Sequence, residues 1–277
     1  MSSSNAYQGF IKSKNILENQ CLNGYKAFSM PSLVDTKIRL PKVLPKRLGK
    51  FCEILFTHAM ANAIDWEIGV QSLQIIDNKI TLGEIDYLLS NQHGELIHVE
   101  LAYKLYLYTG KHQGKEIWLG PNAKDRLDLK VKRLVDQQLP LLNHPACREK
   151  LNDLGINPAL IKSQFYMPGQ LFVHPNEETE GWEKVNEKAI NGHWIYLHEF
   201  EAKEGEKYFI PEKNDWLLIC HSDVDWKSHE DTIALIKSFH TRKFSPLIWV
   251  KSKSGNLRKQ FVVWWTAEKL KAVYENL

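Results

Sequence analysis

Asp86 and Glu100 are the residues on which chemistry would rest. Asp86 closes the run Gly83-Glu84-Ile85-Asp86, and Glu100 stands in His98-Val99-Glu100-Leu101-Ala102-Tyr103-Lys104. Between them Asn91-Gln92-His93-Gly94-Glu95 is a turn signal whose glycine can take positive φ. If Gln92, His93 and Gly94 form a hairpin loop, Asn91 faces Glu95, and counting back sets Asp86 opposite Glu100. Opposed side chains on one face hold their Cβ atoms about 4.5–5.5 Å apart. Two carboxylates that close repel unless a proton or a cation lies between them. Hard oxygen ligands of this kind suit Mg²⁺ or Mn²⁺. Register decides the pairing, because a slip of one residue puts the two acids on opposite faces.

The elements that must position this pair are legible nearby. Positions 96–107 alternate strictly: Ile97, Val99, Leu101, Tyr103, Leu105 and Leu107 take one face, and His98, Glu100, Ala102, Lys104 and Tyr106 take the other. Positions 82–89 form the preceding strand, and 68–76 alternate well enough to complete a three-stranded meander. Upstream, 48–64 reads as an amphipathic helix with Phe51, Leu55, His58, Ala59 and Asn62 on one face and Glu53 near its flank. Charge on a well-covered strand is costly unless it is paired. His98 lies two residues from Glu100 on the same face, and Glu84 is expected opposite Ala102, diagonal to Lys104.

Gly83-Glu84-Ile85-Asp86, then a hairpin, then His98-Val99-Glu100 resembles the core of the PD-(D/E)xK nuclease-like superfamily. Leu48-Gly49-Lys50-Phe51-Cys52-Glu53 resembles that family's first core helix, and the likeness extends over roughly residues 45–140. The runs Trp118-Leu119-Gly120-Pro121-Asn122 and Asp125-Arg126-Leu127-Asp128-Leu129-Lys130, with the pair Gln137-Gln138, look like an uncharacterised bacterial family with this core. The resemblance implies an α/β fold, a mixed sheet flanked by helices, here with an α+β C-terminal extension. It implies Mg²⁺- or Mn²⁺-dependent hydrolysis of nucleic acid, with DNA ahead of RNA. Asp86, Glu100 and Glu53 would hold the metal, and Glu84 and His98 would be accessory. The pattern expects a lysine at position 102 to position the attacking water, where this chain has Ala102; Lys104, two residues on, is the substitute. From Glu100 to Lys104 is about 13 Å along an extended strand at about 3.3 Å per residue, so Lys104 acts only by reaching back or through a bulge. The competing expectation is a nuclease fold that binds nucleic acid or a protein without cutting it.

Positions 122–138 read as a helix with Leu127, Val131, Leu134 and Val135 on its apolar face. Asn122, Arg126, Lys130 and Gln137 are its candidate phosphate contacts, and a solvated surface face is the plain alternative. Positions 111–121 read as a loop and 31–47 as a proline-broken linker. Short helices are expected at 8–19 and 150–160, and 176–181 (NEETEG) reads as an exposed loop. After residue 164 come short aromatic-rich strands, at 170–173, 193–198, 208–210, 216–220, 247–250 and 261–265, with helices at 228–239 and 266–275. The chain divides on this reading into a segment 1–44, a nuclease-like core 45–145 and a C-terminal region 146–277.

With 277 residues, 43% hydrophobic and 25% charged, the chain has ample core for one large domain or two modest ones. Its net charge of +3 is too small to argue for nucleic acid by itself. The four cysteines form no CxxC pair, so neither a zinc ribbon nor a disulfide framework is indicated. No uncharged apolar run approaches membrane-spanning length and the N-terminus lacks a signal-like apolar region, so a cytoplasmic protein is expected. Seven of the nine tryptophans follow residue 180; they read as core packing, or, if exposed, as a docking surface. No GxGxxG or GxxxxGK[ST] run is present, which argues against dinucleotide and P-loop chemistry.

Overall fold

The computed structural model describes residues 3–17, 21–34, 38, 40–177, 182 and 185–275. The chain begins with α1 (Ser3–Lys12), β1 (Lys14–Asn15), β2 (Cys21–Leu22), β3 (Tyr25–Ala27) and α2 (Leu48–Ala61). The strands β4 (Trp66–Asp77), β5 (Ile80–Asn91), β6 (Leu96–Leu101), β7 (Lys104–His112) and β8 (Lys115–Leu119) follow, then α3 (Leu127–Arg133) and α4 (Pro145–Asp153). The last part contains β9 (Ile161–Tyr166), β10 (Pro168–Val173), β11 (Ile190–Tyr196), β12 (Lys207–Phe209), α5 (His229–Thr241), β13 (Leu247–Lys251), β14 (Leu257–Val263) and α6 (Ala267–Tyr274). The fold is α/β, with mixed sheets flanked by helices.

Two compact units form, each discontinuous in sequence. One comprises residues 17–103 and 129–168, the other 1–16, 104–128 and 169–277. This differs from the linear division at 44/45 and 145/146 because two strand pairs change sheets together. β6 pairs in parallel with β9, and β10 in parallel with β7. The chain passes from one pair to the other across 102–103 and Met167. The single strand expected over 96–107 is therefore two strands in two sheets, and Lys104 stands in a different unit from Glu100.

The first unit is built on a six-stranded sheet in the order β2-β3-β9-β6-β5-β4. The meander β4-β5-β6 is antiparallel, as its alternation implies, and β9 joins β6 from some sixty residues downstream. Helix α2 buries Phe51, Cys52, Leu55, Phe56, Ala59 and Met60, a stripe recurring every three to four residues. Phe56 meets Tyr87 of β5 edge-on at 4.7 Å and Tyr166 of β9 at 5.6 Å. Leu141, Leu142, Cys147 and Leu151 pack with Ile75, Ile85 and Leu88 in a second cluster. With neighbours on both edges and cover on both faces, β6 has Ile97, His98, Val99 and Glu100 all buried, where period-two reasoning exposes one face.

The second unit is built on an eight-stranded sheet in the order β12-β13-β14-β11-β10-β7-β8, with β1 beside β10. β7, β10, β11 and β14 run parallel and the outer pairs antiparallel. Ile236 of α5 packs on Ile248, Val250 and Val262. The loop expected at 111–121 is instead a hairpin: His112 pairs with Lys115 around Gln113 and Gly114, both at positive φ, the requirement of a tight two-residue turn. Residues 213–217 form a 3₁₀ turn rather than the start of a strand. Helix α4 starts at Pro145 and ends at Asp153, earlier than expected, because Pro145 suits a first helical position and Gly155 takes positive φ. Helix α1 ends at Lys12, and 178–181 of the expected NEETEG loop lie outside the described residues. None of the nine tryptophans is fully exposed: six are buried, and Trp66, Trp226 and Trp264 are partly buried.

Gly169 lies where β10 meets β7, and a Cβ there would sit 2.1 Å from the Lys104 carbonyl oxygen. A backbone atom has little room to yield, so Gly169→Ala is expected to lower stability by about 2–3 kcal/mol. Urea unfolding of the variant beside the wild type measures it.

Candidate functional site

The register of β5 and β6 is the one the hairpin loop implies. Ser90 pairs with Leu96, Leu89 with Ile97, Leu88 with His98 and Tyr87 with Val99. One further step sets Asp86 across from Glu100. At that point the ladder gives way to a side-chain contact: Asp86 Oδ2 accepts a hydrogen bond from the Leu101 amide at 3.0 Å. Asp86 Oδ1 has no hydrogen-bond partner among the described residues.

Glu100 is 2% exposed and His98 fully buried, so both must be satisfied internally. His98 Nε2 lies 2.9 Å from Glu100 Oε1, and Gln138 Nε2 donates to Glu100 Oε2 at 2.5 Å. On its other side His98 Nδ1 is 3.2 Å from Ser163 Oγ, whose hydroxyl donates to the Leu139 carbonyl at 3.1 Å. With that hydroxyl proton committed to Leu139, Nδ1 is the donor to Ser163. The contact between Nε2 and Oε1 then holds one proton between imidazole and carboxyl. The network fixes the Glu100 carboxylate in one orientation and leaves lone pairs on each oxygen.

Asp86 carries the electrostatic cost. Burial and the neighbouring Glu100 push its carboxyl up to about 7; the Leu101 amide opposes them, and Glu53 and Glu84 add to the rise. Glu53 is held by Lys50, whose Nζ donates to it at 2.8 Å, one helical turn away and partly exposed. The bond to Glu53 raises the Lys50 ammonium above its usual range, and the negative charges of Glu84 and Asp86 reinforce it. Helix α2 is tied to the sheet beside these acids, because Tyr87 Oη donates to the Glu53 carbonyl at 3.0 Å and lies 3.0 Å from Thr57 Oγ1. Glu84 pairs with Gln74 of β4 and makes no ion pair among the described residues.

The remaining sequence candidates separate. Lys104 Nζ bonds Asp125 Oδ2 at 2.5 Å within the other unit and does not neutralise Glu84. Asn122 Oδ1 accepts from the Ser245 amide at 2.9 Å, and Arg126 forms a two-bond fork with Asp128. Gln137 is exposed. Lys130 turns inward, and its Nζ donates to Gln138 Oε1 at 2.7 Å. The helix expected over 122–138 is a short α3 followed by a π-helical turn, Leu134–Gln138, and such turns are frequent at functional sites. The wider turn presents Gln138 rather than Gln137 to the acids. Gln138, Ser163 and Lys50 are the site residues that pattern reading missed; only the Gln137-Gln138 pair hinted at the first of them.

Among the described residues, no group of three or more His, Cys, Asp or Glu side chains is placed to hold a metal ion. The donor set that does converge is a carboxylate pair, Asp86 with Glu100. Mg²⁺ is commonly held by one or two carboxylates with water and phosphate oxygens completing its shell, so the pair fits a hydrated ion of that kind. No described helix is long and apolar enough to cross a membrane.

Fold and site together define an α/β protein of mixed, helix-flanked sheets with a shielded carboxylate pair on one of them. The chain belongs to the family described as Domain of unknown function (DUF1853), which matches residues 29–263. No curated protein and no solved structure matches it.

Proposed function

We propose that the unit bearing Asp86 and Glu100 is a PD-(D/E)xK nuclease-like core that hydrolyses phosphodiester bonds in nucleic acid with Mg²⁺ or Mn²⁺. The β5–β6 register carries this reading, since it brings two carboxylates together in a shielded place and leaves Asp86 Oδ1 open. Asp86 and Glu100 would hold the ion, with Glu53 beside them. Such an ion polarises phosphoryl oxygens and makes bound water a better nucleophile at neutral pH. His98 and Gln138 orient Glu100, so its geometry is set before substrate arrives. The lysine absent at position 102 has two replacements in the same unit, Lys130 through Gln138 and Lys50 beside Glu53. Either ammonium offsets negative charge developing on phosphate.

Labelled single- and double-stranded DNA and RNA, incubated in Mg²⁺, Mn²⁺ or EDTA, test the proposal with Asp86→Ala beside the wild type. The expected result is metal-dependent cleavage that Asp86→Ala abolishes; full activity in that variant would falsify it. Lys130→Met is expected to slow cleavage about a hundredfold, the scale of losing one charge-stabilising donor. Lys104→Met is expected to leave cleavage near the wild-type rate, because its ammonium already serves Asp125. The second reading, a module that binds nucleic acid or a protein without cutting, is favoured by Ala102 at the expected lysine position. Ion binding without turnover on any substrate would select it.

A further inference from the structure

The second unit contains a cavity of about 370 Å³ at the start of β10, β11 and β14. Lys12, Lys14, Lys188, Arg258 and Lys259 line it, and among the described residues no Asp or Glu does. Arg258 is neutralised by Glu206 at 2.7 Å. Lys12, Lys14 and Lys188 are exposed and make no ion pair among the described residues. Lys259 is different in kind, being 5% exposed. Its Nζ donates to Gln170 Oε1 and to the Trp216 carbonyl, both at 2.7 Å, and Gln170 is itself 2% exposed.

A buried ammonium ordinarily has an acid partner, because removing it from water costs several kcal/mol that neutral acceptors only partly offset. Lys259 has two neutral acceptors and a third donor to spare. Burial pushes its ammonium down to about 8, which leaves it mostly charged at neutral pH and without a compensating anion. A cavity with a buried cation at its wall, three exposed lysines around it and no carboxylate lacks only negative charge.

We propose that this cavity binds a small phosphorylated molecule, with Lys259 contacting the phosphate from within, Gln170 holding the Lys259 ammonium in place, and Lys12, Lys14 and Lys188 surrounding it. The volume lies in the range of small-ligand sites, large enough for a phosphate group with an organic portion. The site lies wholly in the unit that does not carry Asp86 and Glu100, so it stands or falls independently of the nuclease reading.

Titration calorimetry on the full chain in EDTA tests it, with inorganic phosphate, pyrophosphate and ADP as probes. Saturable binding of pyrophosphate or ADP is expected. It should weaken with added salt and fall at least about tenfold in Lys259→Met, the scale of losing a hydrogen bond from a charged donor. Tighter binding of ADP than of pyrophosphate would show that the organic portion is also held. Lys12→Gln with Lys188→Gln alters only exposed side chains and decides the matter should Lys259→Met fail to fold; it too should weaken binding. No saturable binding of any probe to the wild type, or undiminished binding in the variants that fold, would overturn the proposal.

Discussion

Asp86→Asn is expected to stabilise the protein at pH 8 relative to the wild type, and the advantage should shrink by roughly 2–3 kcal/mol on going to pH 5. The folded-state carboxyl titrates near 7, whereas an unfolded aspartate titrates near about 3.9. Between those values the folded chain holds a proton that the unfolded chain has released. Wild-type stability therefore falls as pH rises through this window. The contribution of Asp86 is fully present below about pH 4 and lost above about pH 7. Asparagine has no proton to lose and retains an oxygen for the Leu101 amide. Urea unfolding of both proteins at pH 5, 6, 7 and 8 checks this, and parallel stability curves would contradict it. On the proposed metal site, Mn²⁺ is expected to stabilise the wild type at pH 8, because a ligand bound only by the folded state adds its binding free energy to stability. It should not stabilise the asparagine variant.

Glu100→Ala is expected to destabilise the protein by about 3–5 kcal/mol. The substitution strands His98 Nε2 and Gln138 Nε2, two polar groups that have no other partner on that side. Each buried polar group left without a partner costs about 1–3 kcal/mol, and the lost side chain leaves a void besides. Glu100→Gln keeps the volume and one acceptor oxygen, so it should cost clearly less. Urea midpoints for the two variants separate a polar network that organises the core from an acid merely tolerated there. Equal and small effects would mean that water satisfies His98 and Gln138 when the acid is gone.

The part of the site nearest in sequence was legible. The loop Gln92-His93-Gly94 fixes the hairpin, the hairpin fixes the register, and the register sets Asp86 beside Glu100. Helix α2 and the β4-β5-β6 meander follow from periodicity for the same reason, since each is a local pattern. The rest depends on contacts distant in sequence. Alternation continues unbroken through Ala102 and Tyr103, and no glycine or proline marks the point where the chain leaves one sheet for another. Nothing local announces that β9 will cover the far edge of β6 and bury His98 and Glu100. The π-helical turn is equally silent, because Leu127, Val131, Leu134 and Val135 suit an ordinary helix. That turn decides whether Gln137 or Gln138 meets the acids.

The nuclease reading requires that Asp86 and Glu100 hold a divalent cation. Its most direct test is titration of the wild type and Asp86→Asn with Mn²⁺ at pH 8, followed by calorimetry. Saturable binding to the wild type, with competition by Mg²⁺, is expected, as is loss of that binding in the variant. Identical isotherms for the two proteins, or no binding to either, would contradict it.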